Sequence, residues 1–241
     1  MKTASTQLIP QPLAGSGAMF DNIADRYDLL NRIISLGVDQ SWRRKAVHSL
    51  NLGARGQCLD LATGTGDLAI MIARLCPDVQ VTGVDPSVNM LGVGHKKLER
   101  VGLDQRIRLI EGDAQALPFD SRTFDGTSIA FGIRNVPDRK QGLSEMARVT
   151  KLGGRVVILE LSEPQGGLMG ALARFHVHSV VPWLGALLSG RKEYRYLQKS
   201  IAAFPPASEF AELMQQAGLQ VLQVVPLTFG VAHLYVATPQ P

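Results

Sequence analysis

The chain has 241 residues, of which 45% are hydrophobic and 19% charged, and a formal net charge of +4. That length and balance describe one globular domain with a sizeable core and exclude a disordered or fibrous chain. The mild charge, with no basic run interleaved with aromatics, also speaks against a nucleic-acid-binding surface, yet it suits contact with an anionic membrane.

In chain order, residues 1–18 carry one charge, Lys2, and lack the unbroken apolar core of a signal peptide, so they read as a loose tail. Residues 19–241 read as a single domain. Met19 to Ser35 predicts a helix with Ile23, Tyr27, Leu30 and Ile34 on one stripe, and Gln40 to Leu50 predicts a second. Strands are then expected near 57–61, 79–85, 106–111, 124–130 and 155–160, with helices at 67–75, 87–101 and 138–149. This alternation predicts an α/β fold with a doubly wound, mostly parallel sheet. Lys151 to Gly154 reads as a turn without chemistry. Residues 162–200 form an insertion, greasy at first and then basic and aromatic from Arg191 to Lys199.

Ser208 to Ala217 reads as a helix stopped by Gly218, followed by strands at Val221 to Leu227 and Val231 to Ala237. So short a link between strands cannot make a parallel crossover, which predicts a seven-stranded sheet closed by an antiparallel C-terminal hairpin. That closure characterises one large class of methyl transferases, and a plain dinucleotide fold has no need of it. Cys58 and Cys76 have neither disulfide nor metal spacing, consistent with a reducing cytoplasm.

The chemistry concentrates at the ends of the first strands. Asp60-Leu61-Ala62-Thr63-Gly64-Thr65-Gly66-Asp67 is a glycine-rich turn between strand and helix, where a ligand can lie against bare backbone. Asp85 ends the second strand, placed to grip two ribose hydroxyls. Gly64-x-Gly66-x-x-Ala69 also fits a nicotinamide cofactor, so the turn alone does not choose the cofactor. Glu111-Gly112-Asp113-Ala114 follows the third strand, where a carboxylate can accept from an adenine amino group. Phe131-Gly132-Ile133-Arg134-Asn135 follows the fourth, at the ligand-binding end of such sheets, and Arg134 brings five donors and a permanent charge. His176-x-His178 would point to different sides of a helix, so no metal site is expected. The sixteen uncharged residues between Arg174 and Arg191 are too few to span a bilayer and suit an apolar lid or interfacial helix.

From Met19 onward the chain resembles the ubiquinone/menaquinone biosynthesis C-methyltransferases, a class I family using S-adenosylmethionine. The resemblance rests on Met19-Phe20-Asp21, Tyr27-Asp28, Asn31, Ser35-Leu36-Gly37, Trp42-Arg43, the glycine turn and Ala116-Leu117-Pro118-Phe119. Its most specific stretches are Phe131-Gly132-Ile133-Arg134-Asn135-Val136 and Tyr194-Arg195-Tyr196-Leu197. It implies that Thr65, Asp85, Asp113 and Ala114 contact the cofactor, together with Asp60, Gly64 and Gly66. Ala130 stands where the family often has a serine, which leaves a backbone contact, and Leu152 replaces a proline. The implied reaction is methylation of a ring carbon of a prenylated quinol, demethylmenaquinol in the first instance and a benzoquinol as the alternative. A nicotinamide-dependent reductase is the reading from another enzyme class.

Arg134, Asn135, Tyr194 and Tyr196 are the expected catalytic residues, with Arg134 beside the developing phenolate. The implied location is the cytoplasm, with peripheral contact at the cytoplasmic face of the membrane. No nucleic acid is expected as partner, and a homo-oligomer is left open.

Overall fold

Strands of four or five consecutive buried residues need cover on both faces, and the helices between them supply it. A computed structural model describes Ala24, Asp28, Arg32, Ser35 and residues 37–163 and 191–241, with side chains from Arg195 in the last stretch. The elements are α1 (Val38–Leu50), β1 (Gln57–Leu61), α2 (Asp67–Leu75), β2 (Gln80–Asp85), α3 (Val88–Val101), β3 (Ile107–Glu111) and β4 (Phe124–Ala130). They continue through α4 (Arg139–Val149), β5 (Thr150–Leu161), α5 (Arg191–Ala202), α6 (Ala207–Gln216), β6 (Leu219–Leu227) and β7 (Ala232–Pro239). Of the first expected helix, Ala24, Asp28 and Arg32 are described and are helical. The apolar stripe at Ile23, Tyr27, Leu30 and Ile34, the tail 1–18 and residues 164–190 lie outside the described residues.

One seven-stranded sheet runs in the order β3-β2-β1-β4-β5-β7-β6. β1 to β5 pair in parallel, and β7 is antiparallel to both β5 and β6. The expected hairpin is therefore present, and its second strand lies inside its first. Burial explains the order. β7 is buried over most of its length, whereas β6 exposes Gln220, Leu222 and Gln223 and forms the edge.

Strand alternation divides the core between two faces. Cys58, Val157 and Leu159 meet Trp42, Val47, Leu68 and Leu98 of α1 to α3. Leu59, Val156 and Ile158 meet Leu143, Met146, Phe210 and Met214 of α4 and α6.

The turn expected at 151–154 lies within β5. Phe124 pairs with Thr150 and Gly126 with Arg155, so four residues bulge out of the ladder. Lys151 anchors the bulge through an ion pair with Asp125 at 2.7 Å, while the other Asp125 oxygen accepts the Gln57 N–H. A second clamp fixes the loop after β3. Glu145 accepts the Leu117 N–H at 2.8 Å, and Arg148 donates to the Leu117 and Phe119 carbonyls. The Arg148 guanidinium holds the Glu145 carboxyl below the usual carboxylate range. No helix among the described residues is long and apolar enough to cross a membrane.

Candidate active site

The carboxyl ends of β1, β2 and β4 and the loop after β3 surround a cavity of about 310 Å³, the size of a small-ligand pocket. Its floor is the turn after β1. Gly64 and Gly66 have φ of 57° and 80°, and a Cβ at either would meet nothing within 4 Å. Conformation, not space, therefore demands glycine there, and the turn offers backbone to the cavity. Beside it stands the turn after β4, where Phe131 takes φ 59°. A Cβ on Gly132 would lie 2.4 Å from the Ala62 Cβ, so the two turns approach as closely as they do only because Gly132 has none.

Asp85 ends β2 and lines the cavity. Its Oδ2 accepts the Gly64 N–H at 2.8 Å and its Oδ1 accepts the Ser87 N–H at 2.9 Å. The acid thus shapes the glycine turn as well as facing the ligand space. Asp60 is buried at the end of β1, where it accepts from Thr63 Oγ1 at 2.7 Å and Ser128 Oγ at 2.8 Å. Burial lifts its pKa to about 6 against the lowering effect of those hydroxyls and of the Arg43 charge. Asp113 and Ala114 line the far end, with Asp113 exposed and bonded to the Gln115 N–H at 2.9 Å. Ala130 also lines the cavity.

Thr65 is buried, and its hydroxyl is engaged from two sides. It donates to Asp28 at 2.6 Å and accepts from Lys97 Nζ at 3.1 Å. Lys97 also pairs with Asp28 at 2.7 Å and with Asp67. One ammonium on α3 therefore joins the N-terminal segment to the glycine turn.

Of the four expected catalytic residues, the structure brings two together. Asn135 lines the cavity, and its Oδ1 accepts the Tyr196 hydroxyl of α5 at 3.0 Å. Tyr194 lies on α5, and its side chain falls outside the described residues. Arg134 does not line the cavity. It is buried behind the wall, where Nη1 donates to Glu160 at 2.5 Å and to the Phe131 carbonyl at 2.6 Å, and Nε reaches Ser200 Oγ at 3.4 Å. Glu160 is fully buried in β5 and also accepts the Arg134 and Leu161 N–H groups. The expected place for Arg134 beside a ligand oxygen is thus replaced by a place between the Phe131–Asn135 turn, β5 and α5.

Arg43 of α1 lines the cavity and stacks over the Phe131 ring at 5.0 Å. The sequence reading gave it no role. Its signal was position, since 43, 46, 47 and 50 form one helical stripe whose other members are the buried Ala46, Val47 and Leu50. Among the described residues no group of three or more His, Cys, Asp or Glu side chains is placed to hold a metal. His176 and His178 lie outside those residues.

Residues 14–239 match the ubiE/COQ5 methyltransferase family. A ubiquinone/menaquinone biosynthesis C-methyltransferase of Geobacter sulfurreducens is 46% identical over 218 residues, 90% of this chain and 85% of that protein. A demethylmenaquinone methyltransferase of Thermus thermophilus is 45% identical over 219 residues, 90% of this chain and 98% of that protein. Among solved structures, the cyclase SpnF superposes with a TM-score of 0.73 at 16% identity, covering 98% of this chain and all of its own. An S-adenosylmethionine-dependent methyltransferase from Aquifex aeolicus superposes with a TM-score of 0.60 at 17% identity, covering 81% of this chain and 88% of that one. At such identities the superpositions speak for the fold alone, and a cyclase shares it.

Proposed function

The chain belongs to the ubiE/COQ5 methyltransferase family, and from that premise we propose that it transfers a methyl group from S-adenosylmethionine to a ring carbon of a prenylated quinol, demethylmenaquinol in the first instance. The observation that carries the cofactor is the cavity's charge. Asp60, Asp85 and Asp113 line it against a single arginine, beside an Asp28 and an Asp67 that Lys97 pairs with. A dinucleotide with two phosphates would be repelled there. A ligand with a sulfonium, an ammonium and ribose hydroxyls fits that donor and acceptor set. When bound, the cofactor supplies an electrophilic methyl group.

In this reading Asp85 accepts from the ribose hydroxyls and Asp113 from the adenine amino group, with backbone contacts from Gly64, Gly66, Ala114 and Ala130. The Thr65 hydroxyl holds the turn from behind. Asp60 takes the ammonium. A pKa raised from 3.8 to about 6 means that Asp60 binds its proton more tightly folded than unfolded, so its ionisation costs stability as pH rises from about 4 to 6. We therefore expect Asp60→Asn to melt higher than the parent at pH 7.5 while binding the cofactor more weakly. Parental affinity falls toward that of the variant as pH drops below about 6, by roughly ten-fold per unit. Calorimetry at pH 7.5 and 5 checks both, and an affinity flat across that range removes Asp60 from the ammonium.

The ring carbon becomes nucleophilic only as negative charge develops on the quinol oxygen, and a phenol of pKa ~10 is ionised about one part in a thousand at neutral pH. With its carbonyl occupied by Tyr196, the Asn135 amide keeps its N–H groups for that oxygen. Arg134 serves by holding the turn that presents Asn135, and water takes the proton lost from the ring. The prenyl tail makes a membrane surface the place where substrate is met, and we assign that contact to residues 166–199.

The test uses labelled cofactor and demethylmenaquinone with or without dithionite. Label should enter a ring carbon only in the reduced quinol. Asn135→Ala should slow turnover by about 10²–10³-fold, as for a lost oxyanion donor, and leave the cofactor Kd unchanged. Methylation of the oxidised quinone at an equal rate, or label on oxygen, overturns the reading.

A further inference from the structure

Helix α5 carries four basic residues against one acid, Glu193. Four-residue spacing sorts its side chains into ridges. Tyr196, Ser200 and Phe204, the last just past the helix end, share one ridge, and that ridge meets the wall of the cavity. The Tyr196 hydroxyl donates to Asn135 Oδ1 at 3.0 Å, and Ser200 Oγ accepts from Arg134 Nε at 3.4 Å. The Phe204 ring lies under the Arg139 guanidinium at 5.4 Å. All three contacts fall on the turn after β4 or on the first residue of α4. Arg195 and Lys199 share the neighbouring ridge, about 100° round the helix. Arg191 stands one turn before them by the same spacing. Arg195 and Lys199 are exposed, and neither pairs with an acid among the described residues.

We propose that α5 docks on an anionic phospholipid surface through Arg195 and Lys199, extended by Arg191, and that this contact secures the turn that presents Asn135. The unpaired charge of the ridge calls for an anion. The choice of a lipid surface rests on the proposed prenylated quinol substrate, which is met there. A helix of 12 residues is too short to span a bilayer, and basic side chains of this kind lie at the headgroups with their stems along the surface. The coupling follows from helix stability. So short a helix is marginal by itself in water, so α5 keeps its shape by docking on the turn. Undocked, it frays, and the basic residues no longer line up. A surface that binds the aligned ridge therefore favours the docked state. The two ridges are neighbours rather than one, so both are engaged at once. The turn is then held firmly where the substrate is and more loosely away from it.

The experiment is co-sedimentation of the full chain with vesicles of phosphatidylglycerol or of phosphatidylcholine, paired with amide hydrogen exchange of residues 131–136 and 191–202. The parent should bind phosphatidylglycerol and gain protection in both segments, and should do neither with phosphatidylcholine. Arg195→Gln combined with Lys199→Gln should lower the partition by about 30-fold, at roughly five-fold per basic residue near such a surface, and lose the protection. Tyr196→Phe removes the inner hydroxyl and leaves the basic ridge. Coupling is reciprocal, so it should weaken vesicle binding by about five-fold. A Tyr196→Phe protein that binds vesicles as its parent does, or a parent that binds them without protecting 131–136, overturns the proposal. So does a parent that binds both vesicles equally, or that binds single-stranded RNA more tightly than phosphatidylglycerol. Methyl transfer to a tail-less naphthoquinol in solution separates the proposal from its premise. Transfer by a protein that ignores vesicles overturns the proposal and leaves the function standing. Vesicle binding with protection, but no transfer to any quinol, overturns the function instead.

Discussion

Asp85→Ala is expected to weaken S-adenosylmethionine binding by 100-fold or more and to destabilise the protein by several kcal/mol at once. The carboxylate accepts the Gly64 N–H on one oxygen and the Ser87 N–H on the other. Hydrogen bonds to a charged group contribute about 1.5–3 kcal/mol each. Losing both frees the glycine turn and the first turn of α3, where Ser87 caps the helix by accepting the Met90 N–H at 3.1 Å. In the proposed reading the ribose acceptor disappears in the same substitution, so binding should suffer from a missing contact and a loosened floor. Asp85→Asn keeps one acceptor oxygen and should fall between. Calorimetry and urea unfolding measure the two losses separately. A variant with an unchanged dissociation constant removes Asp85 from the ribose.

Arg134→Ala is expected to cost about 3–5 kcal/mol of stability, because it strands a buried carboxylate. Glu160 has no solvent exposure and takes the Arg134 guanidinium at 2.5 Å. Removing the guanidinium leaves that charge without its bonded cation, with Arg139 as the remaining positive group acting on it, and also releases the Phe131 carbonyl. Adding Glu160→Gln to the variant should return part of the stability, since no net charge is then left behind. Arg134→Lys keeps a charge and, because the one nitrogen Nη1 serves both Glu160 and Phe131, a single ammonium should recover part of the loss, though not the Nε bond to Ser200. Urea denaturation decides. An Arg134→Ala protein as stable as its parent, yet slowed 100-fold in kcat, would return Arg134 to the ring oxygen.

That expectation differs from the one the local sequence suggests, and the difference is instructive. Phe131-Gly132-Ile133-Arg134-Asn135 marks the right place, the end of β4, and Asn135 does line the cavity. But Ile133–Asn135 is a short 3-10 turn, and successive side chains on such a turn diverge by about a third of a circle. Asn135 and Arg134 must therefore face different ways. The partner that claims Arg134 is visible in the sequence only as an acid within the apolar run of β5. An acid in a buried strand calls for a cation from elsewhere in the fold, and no local spacing identifies which one.

The βα alternation and the closing hairpin are legible because they rest on period and on loop length. The bulge at 151–154 is not, because it depends on how β4 and β5 register. Arg43 is legible as part of the Trp42-Arg43 pair and as an arginine in an apolar stripe, and the lack of a partner for its Nε among the described residues needs three dimensions to be seen.

The position of β7 also governs how a growing chain acquires this sheet. β6 is synthesised first but, among the described residues, has no neighbour in the sheet other than β7. It can join only after β7 has been made, so the hairpin docks as a unit. Until then β5, with Val156 to Leu159 all buried in the finished fold, presents an open apolar edge. An unpaired edge of that kind invites wrong partners. The nascent protein is therefore most vulnerable to aggregation after β5 has emerged from the ribosome and before the final strand has followed it.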